Sequence, residues 1–268
     1  MLFLVRGQPA SLLRTLLLRD LVVVQTDART EITAQVLNEF ALWQLDGTWR
    51  PQVMGGLKER ARQEHSMAAW LWAGVFEGMA HEHAGDVECA EAAYSLAASA
   101  AAPVSRCLPR VCAIAELARV LAQRGKTGEG RAVLARTRHL VADAPPFGRA
   151  RWLLAAGFVH AREGETEMAA ETLRRSAAMA LQIPNPVLAA EAESMLSGVC
   201  RSRGDLERAD AAAARAAALY FRMGRREKAA KMLEDTLIRH GPSVAPGSGG
   251  ERPLSDAYSG GATPRLIP

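Results

Sequence analysis

Gly78-Met79-Ala80-His81-Glu82-His83-Ala84-Gly85-Asp86-Val87-Glu88-Cys89-Ala90-Glu91-Ala92-Ala93-Tyr94-Ser95-Leu96-Ala97 decides the fold. A helix-length segment ends at Gly85 and a second begins at once on Asp86. Glycine lacks a Cβ and can enter the left-handed conformation that stops a helix, while an aspartate can accept hydrogen bonds from the unpaired amides that open the next one. The same punctuation returns at Gly125, Gly164 and Gly204, at intervals of 40, 39 and 40 residues. Gly164-Glu165 and Gly204-Asp205 repeat the acid as well. A fixed period of this kind is the mark of stacked supersecondary units. The composition agrees: 49% of residues are hydrophobic but only 5% aromatic, so alanine carries much of the apolar fraction and favours closely packed helices over sheets. The spacing predicts an all-α fold, an α-solenoid of about four antiparallel helical hairpins.

Small residues follow the same period. Gly78, Gly85, Ala90, Tyr94 and Ala97 fall at the spacing of the tetratricopeptide signature, in which small residues sit where two helices touch and an aromatic fills the space between hairpins. The third unit offers Gly157, Gly164, Ala169 and Leu173, and the fourth Gly204, Ala209, Ala213 and Ala216. The second keeps Ala118, Gly125 and Leu134 but has Gly130 where alanine is usual. The period exceeds the roughly 34 residues of the standard repeat, which implies helices longer by about a turn. The chain therefore resembles tetratricopeptide proteins. More loosely, over Ser66 to Gly241, it is similar to the arrays of MalT-like and large ATP-binding LuxR-type transcriptional regulators, with Ala217-Ala218-Leu219-Tyr220-Phe221-Arg222-Met223-Gly224-Arg225-Arg226 resembling the end of such an array. That resemblance implies a regulatory or sensor module lacking its own ATPase and DNA-binding domains.

Three regions follow: an N-terminal capping or small α(+β) region over 1–65, the repeat array over 66–241, and a tail over 242–268. In the first, Leu12 to Leu18 reads as a short helix, Leu21 to Val24 as a β-prone run and Ile32 to Trp43 as an amphipathic helix, with a loop around Asp46-Gly47 and Pro51. The tail is rich in Gly, Pro and Ser and reads as disordered. Arg14 and Arg19 break the apolar stretch a secretory signal would need, and no run of some 18 apolar residues offers a membrane span. Cys89, Cys107, Cys112 and Cys200 form no CxxC pair, as expected of small buried thiols in a cytoplasmic protein.

Catalytic signatures are missing from the sequence. Gly125-Lys126-Thr127 resembles the end of a phosphate-binding loop, but Val120 stands where its first glycine belongs, so the segment reads as a turn between helices. His81 and His83, at i and i+2, point to different sides of a helix, and His160 takes a repeat position usually held by a large packing residue. The reading is a non-catalytic scaffold with no cofactor and no metal; an unrecognised enzyme is the third alternative. The net charge of +4 is modest and its basic residues are interleaved with acids, so direct nucleic-acid binding is not expected. Charge is polarised along the chain: Ser66 to Ser105 has five acids and no Lys or Arg, whereas Arg106 to Pro145 has eight basic residues against three acidic ones. Neighbouring hairpins of opposite sign should attract each other, or together form a polarised recognition surface.

In tetratricopeptide arrays the first helix of each hairpin lines a concave groove. Stepping back from each turn glycine places Trp72, Val75 and Met79 at an apolar end of that groove. Arg119, Arg151, Phe158, Arg162 and Arg201 then fall in its middle and far part, which the four arginines would make cationic. Such a groove suits a protein or peptide partner, in particular an acidic amphipathic segment. Charge reversal at Arg119 and Arg162 should then abolish binding and leave helicity intact. The Lys and Asn set that grips a chaperone's terminal carboxylate is absent; Val75/Met79, Ala115/Arg119 and Leu154/Phe158 occupy those positions.

Overall fold

The computed structural model describes residues 27–100, 108–183 and 186–240, which form helices and turns with no strand. The described helices are α1 (Ala28–Asp46), α2 (Pro51–Gln63), α3 (Met67–His83), α4 (Val87–Ser99), α5 (Leu108–Gln123), α6 (Thr127–Ala142), α7 (Pro146–Arg162), α8 (Thr166–Leu181), α9 (Pro186–Ser202), α10 (Leu206–Arg222) and α11 (Arg226–His240). They pack mainly against their sequence neighbours, and the first helices α3, α5 and α7 also meet one another, as a solenoid requires. The run from Leu21 to Val24, the short helix expected before it and the tail after Gly241 lie outside the described residues.

The four turn glycines adopt φ values of 81, 83, 80 and 75° at Gly85, Gly125, Gly164 and Gly204. The amide after each glycine donates back to a carbonyl in the last helical turn: Asp86 to His81 at 2.9 Å, Lys126 to Leu121 at 2.9 Å, Glu165 to His160 at 2.9 Å and Asp205 to Cys200 at 3.0 Å. This is the Schellman closure, which pairs carbonyls that the helix end leaves open. Gly224 repeats it between α10 and α11, and His65, at φ 54°, does so between α2 and α3. The following acid caps the second helix in two of the turns, with Asp86 accepting from the Cys89 amide at 3.0 Å and Asp205 from Arg208 at 3.2 Å. Asp205→Ala is expected to cost about 1 kcal/mol, read as a lower urea midpoint at unchanged slope. An unchanged midpoint would mean that the closure alone holds the turn.

Within the first and third hairpins a small residue seven positions before the turn glycine faces a residue nine positions after it. A Cβ on Gly78 would lie 2.4 Å from the Tyr94 ring, and one on Gly157 would lie 2.6 Å from Leu173. The second hairpin places Ala118 and Leu134 at these positions, both buried. Its unusual Gly130 has a physical reason: a Cβ there would lie 2.8 Å from the Ala118 carbonyl oxygen, so α5 and α6 approach too closely for alanine.

Charges join successive hairpins. Arg124 pairs with Glu88 and Glu91, and Lys126 with Glu91; Arg131 pairs with Glu163 and Glu165; Arg203 pairs with Glu167. The second helix of one unit thus holds the turn of the next. The acidic first hairpin and its basic neighbour are attracted to each other, the first of the two readings of their charge pattern.

Ahead of the array, α1 and α2 pack on α3. Phe40 stacks on Phe76 with ring centroids 3.9 Å apart, and Ile32, Val36, Trp43 and Met54 are buried in the same core. Gly47 ends α1 at φ 72° and Pro51 opens α2. Cys112 and Cys200 are buried, but Cys89 is exposed, against the expectation of buried thiols, because it lies in the first turn of α4 on the side away from Ala90.

Candidate functional site

Four first helices, α3, α5, α7 and α9, together line a groove of about 370 Å³. Its apolar surface comes from Met79, Leu154, Ala155 and Met195, its charged surface from Glu82, Glu116, Arg119, Arg151 and Glu191. The charges form a continuous ladder. Tyr94 donates to Glu82 at 2.8 Å, Arg119 bridges Glu82 and Glu116, and Arg151 bridges Glu116 and Glu191, the last pair at 3.2 Å.

Glu116 is the centre of this ladder, its side chain only 3% exposed. Burial alone would push its carboxyl up, but Arg151 and Arg119 outweigh burial and hold it at about 2. Burial works against the charged form of Arg119 too, and Glu116 and Glu82 reverse that, raising its pKa. The Tyr94 hydroxyl is raised well above its ordinary value by burial, with the Glu116 and Glu82 carboxylates adding to the effect. Glu116 and Arg119 therefore stay charged, and the Tyr94 hydroxyl stays protonated, near neutral pH.

Met79, Arg119 and Arg151 are the sequence-derived groove residues that meet in this groove. Val75 must be corrected: it is 0% exposed and belongs to the core that α3 forms with α1 and α2, because those two helices add apolar side chains around α3. Trp72 is half-buried, stacked on Phe76 at 5.3 Å, and Phe158 is half-buried against the core between α5 and α7. Arg162 is exposed and Arg201 half-buried, and neither lines the groove.

The cationic middle is a second correction. Arg119 and Arg151 face three carboxylates, so the five groups of the ladder sum to −1. Glu116 was not singled out in the sequence. A signal existed: it interrupts the apolar run Val111-Cys112-Ala113-Ile114-Ala115, and Arg119 follows at i+3. Reversing Arg119 would disrupt a buried network, so that substitution does not isolate binding from folding.

A second cleft lies on the other side of α7, between α6 and α8, with a volume of about 570 Å³. His160 stands at one end of it, its Nδ1 2.7 Å from Glu165, whose carboxylate also receives Arg131. His160, Glu163 and Glu165 lie close enough to share an ion, as do His81, Asp86 and Cys89. In the first trio both carboxylates are held by Arg131, and in the second Asp86 serves as the α4 cap.

No family model matches the chain, and no curated protein matches it. Among solved structures it is similar to BtubC (BKLC) from P. vanneervenii, with 12% identity and a TM-score of 0.42 over 87% of this chain and 100% of that one. Among the described residues no helix is long and apolar enough to cross a membrane.

Proposed function

We propose that this chain is a non-catalytic, tetratricopeptide-like scaffold that binds a protein or peptide along the groove of its first helices. The observation that carries this reading is the groove itself: four hairpins contribute one helix each to a single open surface of mixed apolar and charged character. A partner would gain affinity by covering the thioether side chains of Met79 and Met195 together with Leu154, since flexible apolar side chains adapt to a bound surface. The charge ladder between them would fix register, because a partner group placed against it must match Glu82 or Glu191 at the ends.

The test is affinity capture from native extract with the full chain as bait, beside a Met79→Gln, Met195→Gln double variant whose helicity is checked by circular dichroism. A partner retained by the parent and lost by the variant is the expected result. Capture that ignores the substitutions would remove the groove from the proposal. No partner, with both baits folded, would favour a small-molecule sensor within a regulatory system.

A further inference from the structure

We propose that the cleft between α6 and α8 is a separate docking site for an acidic amphipathic helix of a partner protein. One stripe of each bounding helix faces it, Arg131 to Ala142 on α6 and Met168 to Met179 on α8, and α7 forms its floor. At 1.5 Å per residue the α6 stripe is about 16 Å long, the span of three helical turns. The shape is therefore a trough suited to a short helix, open along its length.

Its chemistry is specific. Four guanidiniums line it, those of Arg131, Arg138, Arg149 and Arg175, and no carboxylate does. Arg131 is already paired with Glu163 and Glu165. Arg138, Arg149 and Arg175 make no ion pair among the described residues, in contrast to Arg119, Arg124 and Arg151, which all do. The floor is apolar, with Leu153, Ala156 and Val159 of α7 beside Leu134 of α6, and Met168 is 53% exposed at one edge.

Two donors in this wall, Arg149 Nε and Trp152 Nε1, are buried without an acceptor among the described residues. A buried donor that stays unpaired costs about 1–3 kcal/mol, so an acceptor brought in by a ligand is favoured there. A helix with leucines along one face and glutamates beside them supplies each element: apolar contact for the floor, carboxylates for Arg138 and Arg175 from opposite rims, and one acceptor that reaches inward. A nucleic-acid backbone matches the arginines but leaves the apolar floor uncovered.

The test uses the full chain and a fluorescent synthetic peptide of about 14 residues, about four helical turns, with leucines at i, i+3, i+4 and i+7 flanked by glutamates. Saturable binding is expected, weakened roughly tenfold or more by Arg138→Glu with Arg175→Glu and weakened by added salt. Both arginines are exposed and unpaired, so the double variant should keep the parent's helicity and urea midpoint. The Met79→Gln, Met195→Gln variant should bind the peptide like the parent, which separates this site from the groove. The proposal would be overturned by equal binding by the double variant, by equal binding of a lysine-for-glutamate peptide, by displacement of the peptide by an oligonucleotide at lower concentration than by unlabelled peptide, or by a dimer of the chain itself that the double variant dissolves. Binding of dodecyl phosphate with no binding of the peptide would likewise assign the cleft to small amphiphiles and overturn it.

Discussion

Glu116→Gln is expected to lower stability by about 3 kcal/mol, the largest effect of any single polar substitution in the array. The substitution removes the buried carboxylate that Arg119 and Arg151 share and leaves each guanidinium with a single, more exposed partner, Glu82 or Glu191, and breaking a buried ion pair is strongly destabilising. It should also change the acid limb of the stability curve. The folded carboxyl is held at about 2, below its ordinary 4.5, so its contribution is fully present above about 4.5 and is lost as pH falls through about 2. Urea midpoints of the parent should therefore fall across that window, and those of Glu116→Gln should fall less. Parallel acid limbs would mean that the ladder is not what the pH dependence reports. Since Glu116 links α5 to α7 through Arg151, the variant is also expected to loosen the groove between hairpins, seen as faster amide exchange in α7.

The second large effect is steric. Gly78→Ala places a methyl group against a Tyr94 ring that is 0% exposed and whose hydroxyl is tied to Glu82. The ring has nowhere to move, and a loss of about 2 kcal/mol is expected from overpacking. The next hairpin suggests the remedy, since Ala118 and Leu134 hold the corresponding positions there. Gly78→Ala with Tyr94→Leu should be more stable than the sum of the two single losses by about 1 kcal/mol or more, the coupling of two residues that share one space. Simple additivity would show that α3 and α4 separate to admit the methyl group.

Much of this architecture was legible in the sequence, and the reason is locality. The turn at Gly85 needs only a glycine that can take positive φ, an aspartate within reach of the next amides and an apolar stripe on each side. Gly78 was legible as a small residue where two helices touch, although Tyr94, expected between hairpins, packs on it within one hairpin, and the attraction between Glu91 and the Arg124-Lys126 turn was visible as a switch in charge. Gly130 was visible as an anomaly, but its cause was not, because how closely the α6 backbone approaches the Ala118 carbonyl is set by the packed positions of the two helices and not by residue spacing.

The groove was legible only in outline. Counting back from a turn glycine assigns the same face to Val75, Ala115 and Leu154, yet α1 and α2 pack on α3, and Val75 belongs to their shared core while Ala115 and Leu154 line the groove. Those two helices are outside the 40-residue period, so the period could not announce what they cover. The charges show the same division. By itself the sequence determined the repeated hairpins, their turns and their small-residue contacts, since each depends on residues within one hairpin. Only the tertiary structure decided that Arg119 and Arg151 are neutralised while Arg138 and Arg175 are not, because the carboxylates that settle the matter come from other helices, Glu82 from α3 and Glu191 from α9.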